Sequence, residues 1–431
     1  MTSASISRPV TSSSWGFFRR LAITLPLVVA LTACGGHVKG VMQPLNIAAE
    51  PKGNSVVNML VATSRQPSDD PATLFSGERS VHPSITDVAV SIPPSTVRVS
   101  GTVQWPKKLP PNPATDFAVV RVQPVATVQQ AHEWVRTHSS GGHAMVFIHG
   151  FNNTYEDSVF RFAQIVHDSG ADVTPVLFTW PSRAKVFDYN YDKESTNYSR
   201  TSLENTLKGL VEDKNIKDIT ILAHSMGTWL AMESIRQMAI RDGGLPKKIE
   251  NVILASPDID VDVFSRQWTE LGKNKPNFTI FVSQDDRALA LSRYISGDVQ
   301  RLGQINPAEE PYRSKLEEAG ITVVDLTKVK STDRLNHGKF AESPEIVQLI
   351  GQRLVTGQTL TDSDVGLGDG ITALVAGTVN TVGKVAATTV ATPVDLLSGN
   401  MKSVPKRKPG DVGGTLQSER DPLRAQNTPS N

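Results

Sequence analysis

Cys34 is the only cysteine, so no disulfide can form within the chain. In an exported protein a lone cysteine is unusual and calls for some other use. No Cys/His cluster with metal-ligand spacing stands out, and no glycine loop shaped to cradle a phosphate. The expectation is a protein that needs neither a metal nor an organic cofactor. Charge of one sign is missing as well: 44 Lys and Arg against 43 Asp and Glu leave a net charge of +1. That balance offers no electrostatic footprint for nucleic acid. Aromatic residues make up only 6%, so a local concentration of them carries weight. The N-terminal apolar run from Leu21 to Ala33 is broken by Pro26. It falls short of the ~20 residues that a membrane-spanning helix needs. What remains is a chain with 39% hydrophobic residues, enough for a sizeable core.

The densest signal is Ala223-His224-Ser225-Met226-Gly227. The apolar run Ile219–Leu222 precedes it, and a helical pattern from Trp229 to Ile235 follows it. A strand, a sharp turn with a central serine and then a helix is the layout of a nucleophile elbow. The turn strains the serine backbone, so the residues two places away must be small. Ala223 and Gly227 meet that need, with alanine where glycine is usual.

In this arrangement the acid and then the histidine follow the serine along the chain. The chain has 9 histidines, and His337 alone comes after Ser225. It lies in a polar, glycine-containing loop beyond the apolar run Ile321–Leu326. The acid must lie between the two. Asn277–Ser283 reads as a strand and is followed by Asp285 and Asp286. A carboxylate at a strand's C-terminal end can fix the histidine tautomer and stabilise the imidazolium. Asp286 is preferred, and Asp285, Asp258 and Asp260 stay open as alternative acids. The catalytic set is thus Ser225, Asp286 and His337.

Two backbone donors should face the oxyanion. His143–Ile148 is a strong strand pattern, followed by His149-Gly150-Phe151-Asn152-Asn153. The N–H groups of Phe151 and Met226 are the expected donors, and Gly150 allows close backbone approach. Pocket candidates are His149, Asn152, Trp180, Arg183, Tyr189 and Tyr191. The last four belong to a loop after the strand Val176–Phe178, where the aromatics concentrate. Arg183 suits an anionic substrate group or an ion pair with Asp188.

These motifs resemble a bacterial α/β-hydrolase family, domain of unknown function 900, within the esterase and lipase superfamily. The resemblance rests on Val146–Asn153, Ala223–Gly227, Ala255–Asp260 and Asp286–Arg293. It extends from about Val57 to Ile350 and takes in Met59–Arg65 and Phe75–Arg79. It implies an α/β fold with a mostly parallel, doubly wound sheet and helices on both faces, and serine hydrolase chemistry. It implies no particular substrate. The alternation of strands and helices up to Leu326 points to the same architecture. Short strands between Glu50 and Pro124 are expected to extend one edge of the sheet.

Arg19-Arg20 and the apolar run behind them fit a secretory signal. Its end, Leu31-Thr32-Ala33-Cys34, resembles a bacterial lipoprotein box. The match implies cleavage before Cys34 and acylation there, with Gly35 favouring the outer membrane. The expected organisation is a signal peptide at 1–33, a tether at 34–54, a catalytic domain at 55–355 and a low-complexity tail at 356–431. The tail is expected to be poorly ordered, with one or two weak amphipathic helices between Gly366 and Gly399. The expected function is a serine carboxylester hydrolase with an acyl-ester small molecule or lipid as substrate. It would be held to the envelope membrane through Cys34. The alternatives are a non-catalytic, lipid-anchored binding or envelope-structure protein on the same scaffold, and an acyltransferase using the same triad.

Overall fold

The computed structural model describes residues 37–46 and 51–351 and the backbone of 372–374. The expected signal peptide, Cys34 and the rest of the expected tail lie outside the described residues. Among the described residues ten strands form one sheet in the order β10-β9-β8-β7-β6-β4-β5-β1-β2-β3. The central run comprises β4 (His143–Ile148), β5 (Thr174–Thr179), β6 (Asp218–His224), β7 (Ile249–Ala255), β8 (Asn277–Val282) and β9 (Thr322–Asp325). All its neighbours pair in parallel, and so does β1 (Ser55–Pro67) with β5. Antiparallel partners β2 (Phe75–Ile92) and β3 (Ala118–Pro124) extend that edge. This is the edge extension expected from the short strands of the N-terminal region. On the far edge β10 (Thr372–Leu374) pairs antiparallel with β9. Helix was expected around this stretch. A strand there hydrogen-bonds an edge of the sheet that would otherwise stay open.

Strand periodicity sorts the core into two layers. Along β4, Ala144, Val146 and Ile148 join one cluster, and Met145 and Phe147 the other. Side chains that alternate across a strand produce this split. One face is covered by α1 (Val128–His138), α3 (Tyr189–Glu212), α4 (Met226–Asp242), α5 (Val261–Glu270) and α7 (Tyr312–Glu318). The other is covered by α2 (Tyr155–Ser169), α8 (Lys339–Glu342) and α9 (Pro344–Leu349). The helix α6 (Arg287–Ile295) lies after β8. Burial of each large aliphatic side chain in these layers contributes about 1.5–3 kcal/mol.

Two expectations need correcting. The aromatic loop after β5 is short, and from Tyr189 the chain is a helix of 24 residues. Its core-facing positions include Asp192, Ser195, Thr196, Ser199 and Glu204. Polar residues on the buried face hide the apolar periodicity that reveals a helix. The second correction concerns the tether, because residues 37–46 pack on the domain. Val41 and Met42 are buried, Met42 N–H donates to Ala72 O at 3.1 Å, and His37 stacks on Trp105. No helix among the described residues is long and apolar enough to cross a membrane.

Candidate active site

Parallel strands end on the same side of the sheet, and there the loops gather the chemistry-bearing side chains. Between β6 and α4, Ser225 has φ 53° and ψ −125°. Non-glycine residues seldom adopt positive φ, and such strain persists only where the surroundings impose it. Ser225 N–H donates to Ala255 O at 2.9 Å, and Ser225 O accepts from Thr228 N–H and Asp258 N–H. The neighbours must be small. A Cβ on Gly227 would lie 2.2 Å from His149 O, and one on Gly150 would lie 2.9 Å from Ser225 Cβ. Ala223 is buried with no exposed surface. Among the described residues Ser225 Oγ has no hydrogen-bond partner. The N–H groups of Met226 and Phe151 are also unengaged among the described residues. Met226 holds the first position of α4, where helical N–H groups have no partner of their own and attract negative charge.

His337 Nδ1 lies 2.6 Å from Asp286 Oδ2. Asp286 follows β8 and caps α6, its Oδ1 accepting Leu289 N–H at 2.9 Å. One carboxylate thus starts a helix and holds the imidazole. Burial alone would lower the His337 pKa. The charge of Asp286 and its hydrogen bond outweigh burial, and the group is raised above the ordinary histidine value. The His337 ring centroid is 4.6 Å from that of His224, the residue before Ser225. His224 is pushed well below the ordinary value, first by burial and then by the charge of His337. It donates from Nε2 to His337 O at 3.3 Å. Its role in supporting the histidine loop was not foreseen from the sequence.

The three alternative acids have other partners. Asp260 caps α5 through the N–H groups of Asp262 and Val263. Asp258 accepts from Ser292 Oγ at 2.5 Å and Tyr189 OH at 3.2 Å. Arg301 Nε lies 3.2 Å from Asp258 Oδ1 but off the hydrogen-bond direction. Asp285 binds Lys339 Nζ at 2.7 Å and Asn336 Nδ2 at 2.9 Å. None of the three is hydrogen-bonded to His337.

The pocket candidates separate in the same way. His149 and Trp180 are buried and stacked, with ring centroids 4.8 Å apart. Trp180 Nε1 donates to His149 O, and Trp180 N–H donates to His149 Nε2 at 3.0 Å. His149 Nδ1 faces Gly150 O at 2.8 Å, which assigns its proton to Nδ1. Burial and the nearby Arg65 charge hold His149 well below the ordinary value. These two residues build the floor of the loop and do not line an open pocket. Asn152 takes φ 60°, a left-handed geometry that Asn tolerates. Its side-chain oxygen is buried without a partner among the described residues. Tyr189 packs edge-on to Phe151 at 5.3 Å, beside the loop next to the serine. Arg183 pairs with Glu78 at 2.8 Å, not with Asp188, and lies over the Tyr191 ring. Arg183 and Tyr191 therefore form a cluster with Glu78.

Arg65 ends the Met59–Arg65 motif. It is buried and donates to Thr179 Oγ1, Ser182 O and Asn153 O. It ties β1 and β5 to the loop after β4. Its only sequence signal was a cation closing an apolar strand.

A doubly wound sheet with a positive-φ serine between β6 and α4, and an Asp-His pair whose imidazole lies against the residue before that serine, defines the α/β-hydrolase class. The model of one family within that class, α/β hydrolases of unknown function (domain of unknown function 900), matches residues 127–353, and the chain belongs to that family. A stretch of 63 residues is 36% identical to an uncharacterized protein of Nostoc sp.. It covers 15% of this chain and 16% of that relative. The solved structure of an esterase from Pyrobaculum calidifontis, in a monoclinic form, is similar at a TM-score of 0.32 and 11% identity. That likeness covers 79% of this chain and 93% of the other.

Proposed function

We propose that the protein is a serine carboxylester hydrolase. The observation that carries this reading is the strained backbone of Ser225 at the strand-to-helix turn. The Asp286–His337 pair and the unengaged N–H groups of Met226 and Phe151 support it. In the proposed reaction Ser225 Oγ attacks the ester carbonyl carbon, and its proton passes to His337 Nε2. The Met226 and Phe151 N–H groups receive the oxyanion. Collapse breaks the bond to the alkoxy oxygen, which leaves with the proton from His337. Water then attacks the acyl-enzyme and gives its proton to His337. The acid departs as Ser225 recovers its proton. Asp286 holds the imidazole in the tautomer this sequence needs. The likeness of the sequence motifs to the esterase and lipase superfamily favours an ester over an amide or thioester.

The same reading places the enzyme on the bacterial envelope, anchored through acylated Cys34. It rests on the lipoprotein-type sequence Leu31–Cys34 and on the need of a stable anchor for more than one acyl chain. Mass analysis of the mature N-terminus checks it, and an unmodified Cys34 would refute it. Hydrolysis of aryl esters of graded acyl length tests the chemistry. Ser225→Ala and His337→Ala should abolish turnover in folded protein. Unchanged turnover in Ser225→Ala would overturn the reading. An alcohol acceptor that outcompetes water would move it to acyl transfer.

A further inference from the structure

His337 is straddled by two residues that reach the same carboxylate. Asn336, at φ 56°, donates from Nδ2 to Asp285 Oδ2 at 2.9 Å. Lys339 donates from Nζ to Asp285 Oδ1 at 2.7 Å. Asp285 is the chain neighbour of Asp286, which holds His337. Lys339 is only 1% exposed, an extreme place for an ammonium group. Its Nζ also faces Ser283 Oγ at 3.0 Å, Leu326 O at 3.0 Å and Thr327 O at 3.2 Å. It thus joins the end of β8, the end of β9 and the histidine loop at one point. A buried cation with this many partners is costly to place and stiff once placed.

We propose that Lys339 and Asp285 are positioning residues: their ion pair fixes the distance between the loop carrying Asp286 and the loop carrying His337. The proposal rests on the serine-hydrolase reading for its kinetic consequence, but the geometry it asserts exists without turnover. Asp333 completes the frame by accepting the N–H groups of His337 and Gly338 at 2.8 and 3.1 Å. It aligns the loop backbone, and the Lys339–Asp285 pair sets where that loop docks.

The charged groups around His337 come from several elements. Asp285 and Asp286 lie after β8, Asp258 after β7, His224 before the serine, Asp333 on its own loop and Lys339 at the start of α8. Arg161 of α2 acts on His224. Removing one partner of the pair would change the local charge as well as the geometry. The informative variant therefore removes both: Asp285→Asn with Lys339→Met keeps the net charge of the pair at zero.

Two readouts test this in the full chain. The first is the His337 pKa, read by NMR of isotope-labelled histidine and assigned with His337→Gln. It should drop toward the ordinary histidine value in the double variant, because the imidazole loses its close approach to Asp286. The second is ester turnover. kcat should fall about 100-fold, as expected for a misplacement near 1 Å, with KM within about twofold and the acid limb moved to lower pH. An unmoved His337 pKa would overturn the proposal, and so would a loss confined to KM. If the double variant does not fold, Asp285→Glu keeps both charges of the ion pair and lengthens the link by one methylene. It should lower the His337 pKa in the same direction by less, and an unmoved value there contradicts the proposal. Full turnover by Ser225→Ala would refute the hydrolase reading and leave the NMR result standing on its own.

Discussion

Ser225 keeps a backbone geometry that its neighbours must permit. Gly227 is the tightest of them, because a methyl group there would meet His149 O. Gly227→Ala should destabilise the fold by about 1–3 kcal/mol, the usual cost of forced overpacking, as read by denaturant unfolding. It should also disable the turn, so activity falls even in the fraction that folds. His337 supplies a second prediction. A base must be neutral to accept the serine proton, and Asp286 raises the pKa of His337 despite burial. The acid limb of kcat/KM should therefore lie above the ordinary histidine value of about 6.5. The same shift contributes stability that is full below that unfolded-state value and is lost as pH rises through the folded one. Much of this was legible in the residues. Motif, order and position single out Ser225, His337 and Asp286 as candidates. They do not single out Lys339 and His224, because a buried lysine and a buried histidine look in sequence like any loop cation or loop histidine.

At the scale of elements, the helix caps and the site share side chains. Asp286 caps α6 and bonds His337. The two duties come apart in Asp286→Asn. Asn caps about as well as Asp, so above the His337 pKa, where the charged pair contributes nothing, unfolding stability should change by only a few tenths of a kcal/mol. The amide cannot keep the imidazole in the right tautomer, and kcat should fall about 10,000-fold. A loss of kcat matched by a comparable loss of stability would contradict the assignment. The central strands were readable because, buried on both faces, they appear as continuous apolar runs bounded by turn residues. The helix α3 was not, since its inward face carries Asp192, Ser195, Thr196 and Ser199. Their partners, such as Ser64 Oγ against Ser199 Oγ at 2.8 Å, come from distant elements that local patterning cannot reveal.

For the molecule as a whole, buried ion pairs pin the segments wrapped around the sheet. Arg98 grips Asp168, near the end of α2, at 2.6 and 2.8 Å, and both side chains are at most 2% exposed. Gly101 N–H also donates to Asp168 at 2.8 Å. Burial alone would raise the Asp168 pKa. Hydrogen bonds from His167, Arg98, Gly101 and Gln164 outweigh it and hold the carboxyl well below the ordinary range. That pair contributes stability present above the ordinary carboxylate value and lost as pH falls through the depressed one. Asp168→Ala leaves Arg98 buried and unpaired, so it should cost about 3–5 kcal/mol, measured by chemical denaturation at neutral pH. The architecture of the sheet was visible in the alternation of strands and helices. The packing of 37–46 was not, since a short run of glycine and polar residues reads as a linker until its few apolar side chains find their cavity.

The central claim is that Ser225 is an activated nucleophile. Its most direct test is the intact mass of the native chain after brief exposure to a fluorophosphonate, followed by peptide mapping. The account predicts a single adduct on Ser225, absent after heat denaturation, absent in Ser225→Ala and strongly slowed in His337→Ala. An adduct at another residue, or no adduct in folded protein, would contradict it.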